Sequence, residues 1–255
     1  MARQIERDIV FGSTPGFRPL TLDLHRPAAV GAPVIIFVHG GGWRVGSRRI
    51  FYPGVTEDES FGRLVGAGFA VASIDYRLSG EARFPAQLED VNTALRWVRD
   101  AGPAAGVDPS RIVLWGESAG AHLVTLAAFG RSDLRGVVAW YAPSDLSSMP
   151  QRDDPAATRE ALLLGAPIAA APERARDASP LHHITPGTPP FHLAHGEADD
   201  LVPASQSIAF ADALRAAGVE VELQLVPGTG HMWQGLAHPD VVFDPALAFA
   251  ARVTG

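Results

Sequence analysis

The chain has 255 residues, 47% of them apolar and 19% charged, which suits one sizeable core and is unlike a disordered segment. Its formal charge is −7, the wrong sign for a protein that grips nucleic-acid phosphates. All 21 lysine-class positions are arginine and cysteine is absent, which excludes lysine Schiff bases, Walker-type phosphate loops, disulfides, thiolate nucleophiles and cysteine-ligated metals. Met1–Val10 alternates charged and apolar residues without the apolar stretch of a secretory leader, and no run approaches the roughly 18 apolar residues of a membrane span. A cytoplasmic protein with no membrane span is the expectation. Two strands are predicted near Ile5–Phe11 and Leu20–His25, separated by a turn rich in glycine and proline. Pro33–Val38 is an apolar run too short for a helix and reads as a strand buried on both faces. Gly68–Ile74, Arg111–Trp115, Gly136–Trp140, Phe191–Ala194 and Val219–Val226 repeat that pattern. Apolar residues at three-to-four spacing predict helices over Leu88–Val98, Ala119–Ala128, Ser205–Ala217 and Ala246–Val253. The alternation implies an α/β fold, with a mostly parallel sheet, helices on both faces and an antiparallel N-terminal edge. Ser144–Pro190 interrupts the rhythm, with a short helix at Ala156–Leu164, and is expected to form a small cap within a single domain spanning residues 1–255.

Four stretches carry the chemistry, and each follows a strand. Gly116-Glu117-Ser118-Ala119-Gly120 lies between a predicted strand and a predicted helix, the setting of a sharp turn that exposes a serine hydroxyl. His39-Gly40-Gly41-Gly42-Trp43 follows the strand ending at Val38; consecutive glycines can aim successive amides at one oxygen, and the Ala119 amide would be a further donor. Of the nine histidines, His231 is distinguished by emerging from Pro227–Gly230 directly after a strand, where Ser118 also emerges. His122 is expected to pack inward, and His192 and His195 lack the spacing of a metal site. An orienting carboxylate is available in His195-Gly-Glu-Ala-Asp-Asp-Leu-Val-Pro203, where spacing alone leaves Asp199, Asp200 and Glu197 open. The order serine, aspartate, histidine matches that of α/β-hydrolases.

With those residues in hand, the chain resembles the α/β-hydrolase esterase/lipase family. It is similar to the hormone-sensitive-lipase-like and feruloyl/acetylxylan-esterase-like carboxylesterases. The matching motifs are His39–Trp43, Asp75–Leu78 with Phe84–Ala86, Gly116–Gly120, Asp199–Pro203 and Gly230-His231. The resemblance implies Asp199 as the acid, through the pattern H-G-x-x-D-x-x-V-P, and Gly41 and Gly42 as oxyanion amides beside Ala119. With only some 30 residues before the first buried strand, the long N-terminal cap of hormone-sensitive-lipase relatives is not expected here.

The expected function is hydrolysis of small to medium acyl esters through Ser118, His231 and Asp199, with the ester and water as partners. No nucleic acid, metal or organic cofactor is expected. An amidase or aryl formamidase using the same residues is the alternative, and a non-catalytic small-molecule receptor a more distant one. Trp43 and Trp233 flank the glycine loop and the base, and either wall the acyl pocket or pack in the core. Arg77 and Asp90 are expected to form an ion pair with no part in catalysis.

Overall fold

Short runs of β-branched and aromatic residues form the middle of the sheet because both of their faces can be buried. In the computed structural model, which describes residues 3–150 and 153–255, eight strands are present. They are β1 (Gln4–Gly12), β2 (Leu20–Arg26), β3 (Ala32–Val38), β4 (Ala70–Ile74), β5 (Val107–Glu117), β6 (Leu134–Trp140), β7 (Phe191–Gly196) and β8 (Val221–Val226). Side chains alternate across the sheet, as the pleat requires. Val34, Ile36 and Val38 enter one core, whereas Ile35 and Phe37 enter the other. The order is β1-β2-β4-β3-β5-β6-β7-β8, antiparallel from β1 to β4 and parallel from there to β8. This is the α/β-hydrolase fold, with the antiparallel edge where the sequence placed it.

Seven helices are described: α1 (Arg63–Gly66), α2 (Ala86–Asp100), α3 (Ala119–Ala128), α4 (Arg159–Leu164), α5 (Pro172–Asp177), α6 (Ser205–Ala216) and α7 (Asp240–Thr254). Apolar residues of α2, α3 and α6 cover one face of the sheet. Those of α1 and α7 cover the other, whose core is rich in aromatic rings, including Phe37, Phe51, Trp115, Trp140 and Phe243. Every residue of α3 is buried, so the helix behind Ser118 is held from all sides. No helix among the described residues is long and apolar enough to cross a membrane.

Two elements differ from expectation. Helix α7 begins at Asp240 rather than Ala246, and Pro245 lies inside it. Proline cannot donate to the carbonyl four residues earlier. That carbonyl, Val241 O, instead accepts from Gln224 Nε2 of β8 at 2.8 Å, so the helix continues past the proline with this carbonyl paired. The segment 144–190 holds α4 and α5 with several single turns of 3-10 helix rather than one short helix. It packs by Leu146, Leu163, Leu164, Ala175 and Ala178 against the core of the α3 face.

The loop after β3 is tied down at its far end. Arg48, almost fully buried, donates from Nε to Asp23 Oδ1 at 2.7 Å and also pairs with Asp75 and Asp8, while Ser73 Oγ donates to its carbonyl at 2.6 Å. Burial would raise the Asp23 pKa, but Arg48, the Asp8 amide and Arg7 together hold it below the usual carboxylate range. This stabilisation is present above the ordinary carboxylate pKa and is lost as pH falls through the lowered one. Asp23→Asn is therefore expected to cost about 2 kcal/mol at pH 7. The difference from the unaltered chain should narrow as pH falls below about 4, as denaturant melts at stepped pH would show.

Candidate active site

The parallel register brings the ends of the central strands side by side. Val38 lies beside Gly116, Glu117 beside Trp140, Trp140 beside Ala194 and Gly196 beside Val226. The chain therefore leaves β3, β5, β6, β7 and β8 on one rim, and all candidate residues emerge there.

Between β5 and α3 the chain reverses within one residue. Ser118 has φ 48° and ψ −118°, an unusual geometry for a residue with a Cβ. Its amide donates to Trp140 O at 2.9 Å, which continues the sheet ladder to the turn. A Cβ on Gly120 would overlap the Val38 carbonyl, so glycine is what lets α3 start this close to β3. The Ser118 hydroxyl, carried past the end of the strand, lies 3.0 Å from His231 Nε2.

His231 Nδ1 lies 2.6 Å from Asp199 Oδ2. A carboxylate only accepts, so Nδ1 carries the hydrogen and Nε2 faces the Ser118 hydroxyl as acceptor. The loops after β7 and β8 are joined by Glu197 N to Val226 O at 3.0 Å and Ala198 N to Thr229 O at 3.0 Å, which brings acid and imidazole together. Asp199 Oδ1 accepts from the Leu201 and Val202 amides, each at 2.9 Å, and Oδ2 also lies 3.3 Å from His195 Nε2. Burial alone would raise the Asp199 pKa. The hydrogen bonds from His195, His231 and the Val202 amide, with the His231 charge, outweigh burial and hold the carboxyl well below its ordinary range. Asp200 and Glu197 are exposed, and among the described residues the carboxylate paired with His231 is that of Asp199. Of the three acids left open by spacing, Asp199 is the one at the imidazole.

Gly41 and Gly42, which line the same cavity as Ser118, have φ of 107° and 59°. Among the described residues no group accepts from the amides of Gly41, Gly42 or Ala119. The Gly40 amide is different, for it points at Glu117 Oε1 at 3.4 Å.

The two indoles do not line the cavity. Trp43 is buried on α3, its Nε1 donating to His122 Nδ1 at 3.3 Å. Trp233 is buried with its ring edge-on to Trp140 and Tyr141. Of the two places the sequence leaves open, pocket wall and core, both indoles take the core; Trp43, Met232 and Trp233 all have positive φ, and of the three Met232 lines the cavity. His122 also donates from Nε2 to Ala178 O at 2.6 Å, and burial pushes its pKa down to about 4. It is a neutral structural histidine. His195 also has an assigned place, with Ser207 Oγ at 2.7 Å and Val202 O at 2.8 Å. Arg77 and Asp90 form the expected buried pair, at 2.7 Å.

The cavity above Ser118 has a volume of about 580 Å³, with apolar walls from Val45, Ile50, Pro53 and Met232. Glu117 also reaches it, and sequence reasoning gave that residue no role. Its Oε2 accepts from the Tyr141 hydroxyl at 2.5 Å, and the Tyr141 ring packs edge-on to the His231 imidazole at 4.8 Å. Burial pushes the Glu117 carboxyl up to about 8, against the lowering effect of Tyr141 and the Gly40 amide. The only sequence signal was an acidic residue next to the serine.

Comparisons with known proteins place the chain in a family. Residues 22–214 match the BD-FAE family. The chain belongs to that family. Esterase LipC of Mycobacterium tuberculosis is 35% identical over 217 residues, which is 78% of this chain and 53% of that protein. The chain thus spans about half the length of the first curated relatives it matches. A truncated carbohydrate esterase from gut microbiota superposes with a TM-score of 0.87 at 26% identity, covering 98% of this chain and 96% of that one. Esterase 2 of Thermogutta terrifontis, in a structure phosphorylated by paraoxon, gives a TM-score of 0.75 at 26% identity, covering 97% and 92%.

Glu117 sets a pH dependence. A carboxyl raised from 4.5 to about 8 stabilises the fold fully below 4.5, and that contribution is lost as pH rises through 8. The slope in between is up to about 1.4 kcal/mol per pH unit. Glu117→Gln should flatten the fall in stability between pH 5 and pH 8, read as the difference between denaturant midpoints of the two proteins. Parallel curves would show that Glu117 is ionised throughout.

Proposed function

We propose that this BD-FAE member is a serine carboxylic-ester hydrolase in which Ser118, His231 and Asp199 act as a catalytic triad. The observation that carries the reading is the continuous path from the Ser118 hydroxyl through His231 to Asp199, at 3.0 and 2.6 Å, at the floor of an open cavity. As Ser118 Oγ attacks the ester carbonyl, His231 Nε2 takes its proton. Asp199, held ionised by its donors, stabilises the imidazolium and keeps the productive tautomer. The carbonyl oxygen becomes an oxyanion facing the amides of Gly41, Gly42 and Ala119, where one donor in comparable sites contributes about 3–4 kcal/mol. His231 returns the proton to the departing alcohol, leaving an acyl-Ser118. Water, deprotonated by His231, then attacks that ester, and Ser118 leaves with its proton restored.

The apolar walls at Val45, Ile50, Pro53 and Met232 support acyl groups of small to medium size. The names of the relatives support ester rather than amide substrates, and all three reacting groups being in contact speaks against a non-catalytic receptor.

Turnover of p-nitrophenyl esters from acetate to dodecanoate is expected to peak among the shorter chains. Ser118→Ala should lower kcat more than a thousandfold, and Asp199→Asn by up to about 10⁴-fold, with the fold intact by circular dichroism. Asp200→Asn should stay within a few-fold of the unaltered enzyme. Paraoxon is expected to label Ser118, and EDTA to leave kcat unchanged. Equal losses at Asp199 and Asp200, or labelling elsewhere, would break the assignment.

A further inference from the structure

A second hollow of about 200 Å³ adjoins the cavity above Ser118. The two share Arg44, Arg159 and Leu201 as lining residues, so these side chains stand between them and face both. Its character changes across that boundary. On the Ser118 side the walls are apolar, whereas beyond the arginines they include Thr158 and Glu160. We propose that Arg44 and Arg159 form a subsite for an anionic group, a carboxylate carried on the acyl or the alcohol part of the ester hydrolysed at Ser118.

Several observations support it. Some arginines of this acidic chain meet fixed carboxylates, as with Arg48 on Asp23 and Arg77 on Asp90, and others meet neutral acceptors, as with Arg131 on Asn92. Arg44 is exposed at the cavity and, among the described residues, its side chain has no ion pair or hydrogen bond. The stem of Arg159 crosses the glycine loop so closely that a Cβ on Gly42 would meet its Cδ. Its charge therefore sits beside the amides proposed to receive the oxyanion. Arg159 also has an interaction elsewhere in the chain. A guanidinium offers five donors in a planar fork, enough for that contact and for a carboxylate. Two carboxyl groups oppose the cations. Glu160 is buried in the wall of the second hollow, and burial of Glu117 favours its neutral form. The space thus holds two guanidinium groups, one of them already engaged, beside the Glu160 carboxyl, in a chain of net charge −7.

The inference rests on the ester-hydrolase reading of Ser118, and the test separates the two. Two matched pairs serve as probes. For the acyl side, mono-p-nitrophenyl glutarate is compared with p-nitrophenyl butyrate. For the alcohol side, 4-acetoxybenzoate is compared with its methyl ester. The quantity read is the anionic-to-neutral ratio of kcat/KM, in the unaltered protein and in Arg44→Gln, Arg159→Gln and the double variant. A fall of tenfold or more in one pair, chiefly through KM, is expected in the double variant. Partial recovery in Arg44→Lys and a weaker preference at high ionic strength should accompany it. The pair that responds identifies the part of the ester bearing the charge. Arg44→Gln lies on an exposed loop and gives the answer alone if Arg159→Gln fails to fold. Ratios unchanged in both pairs overturn the subsite while leaving the hydrolase reading intact. Absence of Ser118-dependent turnover of the neutral esters overturns the hydrolase reading on which the subsite rests.

Discussion

An ionised carboxylate taken out of water costs several kcal/mol unless donors converge on it, and the architecture of the rim follows from meeting that demand at Asp199. Its own turn supplies two amides, at Leu201 and Val202. The end of β7 supplies His195, and the loop after β8 supplies His231. These donors come from separate stretches of chain, so they coincide only if β7 and β8 are paired in register and their loops are joined. The same geometry decides the tautomer of His231 and hence which nitrogen faces Ser118. Position, charge and proton placement at the serine are all downstream of the one buried anion.

A second layer lies beneath the glycine loop. Glu117 touches the loop through Gly40 and the imidazole indirectly through Tyr141, so one buried carboxyl links the two parts that must stay aligned. Backbone strain is concentrated here as well. Of the six non-glycine residues with positive φ among those described, Trp43, Ser118, Tyr141, Met232 and Trp233 surround the site, and Asp8 alone lies elsewhere. Such conformations persist where packing over-determines them. The wholly buried α3 and the aromatic core behind Trp140 provide that packing.

Much of this could be read from the residues alone. The central strands announced themselves because a segment buried on both faces must be apolar throughout, as at Pro33–Val38. Ser118 and His231 stood out because glycines flank them directly after strands, and Asp199 because its distance from His195 fitted the family pattern. The remainder depended on contacts between distant residues. Tyr141 lies one residue past β6, and nothing local shows that its hydroxyl reaches Glu117. The direction of Trp43 and Trp233 hung on left-handed backbone that side-chain type does not reveal. The helix predicted over Ala246–Val253 misses the first turns of α7, whose continuation past Pro245 rests on Gln224, a donor from another element. The turns of segment 144–190 are too short to carry a periodic signal, and tertiary packing decides them.

The placement of the two cavity arginines has an evolutionary corollary. Arg44 belongs to the loop after β3 and Arg159 to the opening of α4, so neither is borne by the strands that deliver Ser118, Asp199 and His231. In the proposed reading the residues that face a molecule's periphery are thereby separate from the three side chains that would react, although both arginines adjoin Gly42. In that reading, changes at positions 44 and 159 that leave Gly42 undisturbed would diversify what such a scaffold accepts while Ser118, His231 and Asp199 keep their places.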